Sequence, residues 1–257
     1  MKNFSFWYYW CVFFGIILLR YLILAGGSHW LFYRILKKSI LKRGVSLIPP
    51  LKDSIQRDIA LSVLSAVVFA FGAVFILFSY RQGITLLYTQ FKGYEFWYLG
   101  VSYLIVLILQ DTYFYFTHRL FHHPLLFRWF HQSHHLSRQP TPWTSFAFDP
   151  IEALVQVLFL LIIIFIIPLH LMVLGLVLIT MTVWAIFNHL GFKLSPSLTS
   201  YHWLGKWFIG PAHHLLHHRK YKLHYGLYFT FWDYLLHTND PNYDLSLTST
   251  PSTKTMD

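Results

Sequence analysis

"DTYFYFTHRLFHH", residues 111–123, begins inside an apolar run and ends in histidine. Its reading decides the fold. The run starts near Phe96 and reaches Thr117, long enough for a helix to cross about 30 Å of hydrocarbon at about 1.5 Å per residue. If the helix continues past Thr117, His118 and His122 stand four apart on one face. A membrane span then leads straight into a pair of imidazoles. Asp111 lies on the same helix seven residues before His118, with Tyr115 between them on that face. An acid in a span is costly and usually functional. Asp111 is therefore a candidate to accept the second ring N–H of a metal-bound histidine.

Composition agrees with a membrane setting. Hydrophobic residues make up 56% and charged residues 12%, with mean hydropathy +0.47, where a soluble domain carries about 25% charged residues. Aromatics reach 20%, as expected where rings sit at lipid–water boundaries. Phe4 to Ala25 and Ile59 to Tyr80 are further spans, and the first is read as a retained helix rather than a signal peptide. Ile151 to Phe187 is too long for one span and holds Pro168 at its middle. Proline removes a helix hydrogen bond, so two short helices in a hairpin are expected. The expected fold is an all-α integral membrane protein with three clear transmembrane helices plus a helical hairpin, and a cytosolic helical cap carrying the histidine clusters. Residues 1–95 form an N-terminal membrane region, 96–240 the region that carries the histidine clusters, and 241–257 a Ser/Thr-rich tail expected to be disordered. Ser28 to Leu41 and Leu198 to Ile209 mix aromatic, aliphatic and basic residues, as interfacial helices do.

The net charge is +10. No basic stripe interleaves with exposed aromatics, which argues against nucleic acid; an anionic leaflet fits better. Segment 26–57 carries Arg34, Lys37, Lys38, Lys42, Arg43, Lys52 and Arg57, whereas 81–95 carries only Arg81 and Lys92 beside Glu95. The positive-inside rule puts the first segment in the cytosol. Counting spans, 118–150 and 189–257 fall there too, so every dense histidine cluster shares one side. The single cysteine, Cys11, excludes an intrachain disulfide and a thiolate metal cluster.

After "HRLFHH" come "HQSHH" at 131–135, "NHLGF" at 188–192 and "HHLLHH" at 213–218. His131, His134 and His135 share a face if helical, and His214, His217 and His218 repeat the spacing. His29, His170, His202 and His237 are read as ordinary hydrogen-bonded histidines, with His224 left open. Neutral imidazole is the commonest metal ligand among titrating side chains. Eight or nine convergent imidazoles are too many for one ion, so two ions sharing the set is the simplest account. Imidazole suits Fe, Zn, Cu and Ni alike. Asp149, Asn188 and Asp233 are weaker candidates for hydrogen bonding to ligands. A histidine-rich metal transporter or metal-binding protein is the alternative, and it predicts ionisable residues through several spans; only Asp111 and Arg20 qualify.

"DTYFYFTHRLFH", "FHQSHH", "NHLGF", "HLLHH" and "YGLYFTFWD" together resemble the fatty acid hydroxylase superfamily, also called the sterol desaturase family, over about Phe96 to Thr238. The resemblance implies a membrane di-iron oxidoreductase that hydroxylates or desaturates a lipid with O₂. Carried over by position, the metal ligands would be His118, His122, His131, His134, His135, His214, His217 and His218, with His189 as a ninth and His123 and His213 in reserve. The implied cofactors are two Fe ions, with Zn able to stand in for them in purified protein. The implied partners are a lipid substrate, the membrane, and an external electron-donor protein, cytochrome b5-like or ferredoxin-like with its reductase. The implied location is the endoplasmic reticulum of a eukaryote or the inner membrane of a bacterium. The sequence departs from the family pattern at His224, where Asn is usual, and at His237-Thr238, where Gly-Thr is usual.

Overall fold

The computed structural model describes residues 5–42, 51–91, 96–192 and 206–243. α1 (Phe6–Trp30) is capped by Ser5, whose side chain accepts the Tyr8 N–H. It runs on through a π-helical turn, Leu31–Ile35, into the short α2 (Lys37–Lys42). The first span thus extends well past Ala25, and Ser28 to Leu41 is its continuation. Next come α3 (Lys52–Arg81), α4 (Phe96–Phe121), α5 (Pro124–Phe130), α6 (Gln132–His135), a 3-10 turn (Pro142–Phe146), α7 (Pro150–Ile166) and α8 (Leu171–Asn188). α9 (Pro211–Lys220) and α10 (Phe231–Leu235) complete the described helices. Residues 198–205 of the second expected interfacial helix and the tail 245–257 lie outside the described residues.

Four helical stretches are long and apolar enough to cross a membrane: Phe6–Ile35, Lys52–Arg81, Phe96–Phe121 and Leu171–Asn188. α7 is a shorter apolar helix. At about 1.5 Å per residue α7 and α8 each reach roughly 26 Å, close to the hydrocarbon thickness. The expected hairpin is present and breaks at Pro168, between α7 and α8. Next to the break, β2 (Leu169–His170) pairs in parallel with β1 (Leu87–Tyr88). The sequence carried no sign of this pair, because two residues per strand are too few to show periodicity. It ties the α3–α4 connection to the hairpin tip, at the far ends of α4 and α8 from the histidines.

Packing follows side-chain size. Val106 of α4, Phe159, Ile163 and Ile164 of α7, and Val173 and Val177 of α8 form one buried cluster. The buried face of α3 is small: Ser62, Ser65, Ala66, Ala70 and Gly72. Small residues let helix backbones approach closely in a bilayer, and a Cβ on Gly72 would lie 2.4 Å from Val157 Cγ2. Outer faces present Leu19, Ile23, Ile108, Ile162 and Ile179, as lipid contact requires. The interior, by contrast, is rich in polar groups, eleven buried histidines among the described residues included. This is an integral membrane protein with a polar centre.

Candidate metal centre

Four elements supply the buried imidazoles. His118 sits in the last turn of α4 and His122 just beyond its end. His134 and His135 lie in α6, with His131 as its N-cap. His189 is the C-cap of α8, and His214, His217 and His218 lie in α9. Their ligand atoms gather into two groups. His118, His122, His131, His135 and His217 form one, here centre 1; His134, His189, His214 and His218 form the other, centre 2. Either group can hold a metal ion. Helix geometry explains the split. Residues four apart share a face, so His118/His122 and His131/His135 pair in centre 1 and His214/His218 pair in centre 2. The residue at the third position diverges: His134 turns to centre 2 and His217 to centre 1. His131, His134 and His135, expected to share a face, are divided between the two centres, so each HxxHH segment serves both, whereas His118 and His122 serve centre 1 alone.

In every close contact the inward atom is Nε2. His118–His131 is 3.0 Å, His122–His217 is 3.2 Å and His135–His217 is 3.1 Å. In centre 2, His134–His189 is 3.3 Å, His189–His214 is 2.9 Å and His214–His218 is 3.1 Å. Five of the nine outward nitrogens are spoken for, while those of His135 and His218 are buried without a hydrogen-bond partner among the described residues. Nδ1–H of His118 donates to Tyr225 O (2.9 Å), of His134 to Ala147 O (3.1 Å), of His189 to Ala185 O (2.7 Å) and of His217 to Leu223 O (2.7 Å). His131 Nδ1–H donates to Glu152 Oε2 at 2.8 Å. Those bonds fix the tautomer and leave a lone pair on each Nε2. Lone pairs facing one another repel unless a cation lies between them. Two nitrogens at neighbouring positions around one ion, each about 2.0–2.1 Å from it, stand roughly 3.0–3.4 Å apart, and the observed spacings match. Burial and the like charge of neighbouring imidazoles depress proton affinity: His134 is lowered to about 4, and His131, His135, His214, His217 and His218 are all well below the ordinary value. Neutral, preoriented imidazoles of this kind suit transition-metal ions.

The family model for fatty acid hydroxylase matches residues 103–238, more than half of the chain. The chain belongs to the fatty acid hydroxylase family. A Delta(7)-sterol 5(6)-desaturase of Gibberella zeae is 30% identical over 183 residues, 71% of this chain and 55% of that protein. The lathosterol oxidases of Mus musculus and Homo sapiens are 34% and 32% identical over 71% of this chain and 60% of their own. The chain thus spans between half and three fifths of the length of these relatives. No solved structure matches it.

Around this family's histidine set, the helpers differ from expectation. Asp111 bonds to backbone: its Oδ1 accepts the N–H groups of Leu227, Tyr228 and Phe229 at 3.2, 2.7 and 3.1 Å. Asp149 accepts the Ser133 N–H (3.1 Å), Asn188 Nδ2 donates to Leu227 O (3.1 Å), and Asp233 accepts the Tyr225 and Gly226 N–H groups. Among the described residues, the carboxylate that does touch a histidine of the centre is Glu152, in the first turn of α7. It escaped the sequence reading, although the reasoning applied to Asp111 would have found it: an acid within the first turn of an apolar helix. The remaining described histidines lie outside both groups. His170 caps α8 and donates to Thr89 O, His123 caps α5, and His29 stacks on Tyr33. His213 accepts from Tyr243 and Gly210, and His202 lies outside the described residues. The two family departures share a cause: His224 and His237 have φ of 57° and 55°, the left-handed region where Asn and Gly fit best.

A narrow pocket opens against both centres. His118, His134, His189 and His214 form its polar wall, and Phe114, Phe148 and Leu227 its apolar wall. Glu152 Oε1 and Asn188 Oδ1, on two residues that line it, are buried without a protein partner.

Proposed function

We propose that this chain is a membrane-bound di-iron oxidoreductase that uses O₂ and an external electron donor to hydroxylate or desaturate a lipid. The observation that carries this reading is the convergence of nine Nε2 atoms in two groups, with the outward nitrogens of five held by oxygen acceptors. His118, His122, His131, His135 and His217 would hold one ion, and His134, His189, His214 and His218 the other. Two iron ions, when bound, supply the reduction of O₂ and the removal of hydrogen from an unactivated C–H bond. The chain's own residues supply the rest. Glu152 and the carbonyls of Tyr225, Ala147, Ala185 and Leu223 hold the rings in orientation. Phe114, Phe148 and Leu227 offer an apolar wall to a hydrocarbon and keep water out. The pocket lies where α4 and α8 end, within reach of a substrate dissolved in the bilayer.

Hydroxylation places one oxygen atom in the substrate and reduces the other to water, consuming two electrons and two protons. Desaturation removes two hydrogens from the substrate and reduces both oxygen atoms to water with the same supply. Both need a donor, and a cytochrome b5-like or ferredoxin-like protein with its reductase fits. The loop charges support a cytosolic face for the histidines, where such donors are found. The relatives are named for Delta(7)-sterol and lathosterol, so a sterol is the first lipid to offer. In the transporter reading Asp111 would be a waypoint for ions, yet three backbone N–H groups already occupy one of its oxygens. The test is O₂-dependent conversion of lathosterol and of a panel of acyl lipids by membranes carrying the chain, a donor and its reductase. Conversion by the wild type and none by His134→Ala supports the function. Equal conversion by both would overturn the ligand set.

A further inference from the structure

Five consecutive backbone N–H groups, Tyr225 to Phe229, all end on two buried carboxylates. Tyr225 and Gly226 donate to Asp233 at 2.9 and 3.0 Å, and Leu227, Tyr228 and Phe229 donate to Asp111. One of these peptide groups faces a metal ligand. Its N–H belongs to Gly226 and donates to Asp233 Oδ2 at 3.0 Å; its C=O belongs to Tyr225 and accepts from His118 Nδ1 at 2.9 Å. Hydrogen bonds in series polarise one another. A carboxylate on the N–H side therefore makes the carbonyl a stronger acceptor, and His118 a stronger donor to an ion. The contact needs glycine: a Cβ on Gly226 would lie 2.4 Å from Phe229 O and 3.1 Å from Asp233 Oδ2.

We propose that Asp233, which touches no histidine of the centre, is a positioning residue of centre 1, acting on His118 through the Tyr225–Gly226 peptide as Glu152 acts on His131 directly. The proposal rests on the reading that the nine histidines hold two ions. Centre 1 then has two ligands backed by carboxylate. In centre 2, the described acceptors are neutral carbonyls. Ala185 O belongs to α8, and the peptide of Ala147 O passes its N–H, from Phe148, to Ser65 Oγ at 3.3 Å. Asp111 holds the same loop without this connection. The peptides it grips direct their bonded carbonyls to Asn188 Nδ2 and to the Ile209 N–H. Centre 1 should keep its ion longer than centre 2, and Asp233 should be one reason.

The experiment follows zinc release from the zinc-loaded full chain in detergent into excess chromogenic chelator. Wild type should release two ions in two phases, and His189→Ala should retain only the slow one, assigning it to centre 1. Asp233→Asn should speed the slow phase about tenfold, the low end of what outer hydrogen-bond partners contribute to metal affinity, and leave the fast phase alone. Asp111→Asn should speed the slow phase much less. Thr238→Val removes a hydroxyl that donates to Asp233 Oδ1 at 2.7 Å and keeps the carboxylate, so its slow phase should be unchanged or slower. Acceleration of both phases by Asp233→Asn, an equal effect of Asp111→Asn, or a faster slow phase in Thr238→Val would each mean loop loosening and overturn the proposal. If Asp233→Asn does not fold, the Thr238→Val result decides. A wild type that binds no zinc would instead overturn the two-ion reading beneath it.

Discussion

The two histidine groups share the two HxxHH boxes but are held in different ways. Centre 1 has five imidazoles, one of them, His122, only partly buried; centre 2 has four, all buried. Centre 1 hangs on a loop pinned by acids and on the Glu152 carboxylate. Centre 2 hangs on helix ends and backbone carbonyls. Identical ligand chemistry can thus be tuned by what stands behind each ring. The centre nearer solvent is the one with anionic support.

The largest expected effect comes from removing a ligand. His217→Ala should empty centre 1 and His189→Ala centre 2, each leaving about one ion per chain and no turnover, read by elemental analysis beside a lipid-oxidation assay. A variant that lost both ions at once would show that the centres do not form separately. Next in size is Glu152→Gln, which should weaken metal binding at centre 1 by about 10–100-fold, seen as loss of only one of two ions in a competition titration. Loss from centre 2 instead would break the assignment.

Acid should act on both centres. Six of these histidines outside the spans have lowered proton affinity in the folded state, by burial first and, in all but His134, by neighbouring imidazoles second. Below the unfolded value of about 6.5, the unfolded chain takes up protons that the folded chain refuses. The stability of the metal-free protein should therefore be steady above about pH 6.5 and fall as pH drops towards 4. Thermal midpoints measured across that range check the sign; a rise on acidification would contradict it. The smallest effect belongs to the backbone. His237→Gly relieves a left-handed residue at the cost of a more flexible unfolded chain, for a net gain of roughly 0.5 kcal/mol. It should leave metal content unchanged.

Much of this was legible in the sequence, and the remainder has physical reasons for being hidden. Apolar run length gave the spans, and Pro168 gave the hairpin. Histidine spacing gave eight of the residues that the fold gathers, and the family resemblance the ninth, His189. The division of His131 and His135 from His134 was not legible, because a face drawn on one helix does not say which of two neighbouring ions each ring meets. That Glu152 pairs with His131 was not legible, because 21 residues separate them, beyond any local pattern. The bonds of Asp111 and Asp233 run to backbone N–H groups, which every sequence possesses. His224 and His237 stood out as departures, but only their φ values explain why Asn and Gly are usual there.

The central claim is that nine imidazoles hold two ions. Its most direct test is iron per chain in protein expressed with iron and purified in detergent. The account predicts about two in the wild type and about one in His189→Ala. A folded wild-type chain that binds no metal under any loading condition would contradict it.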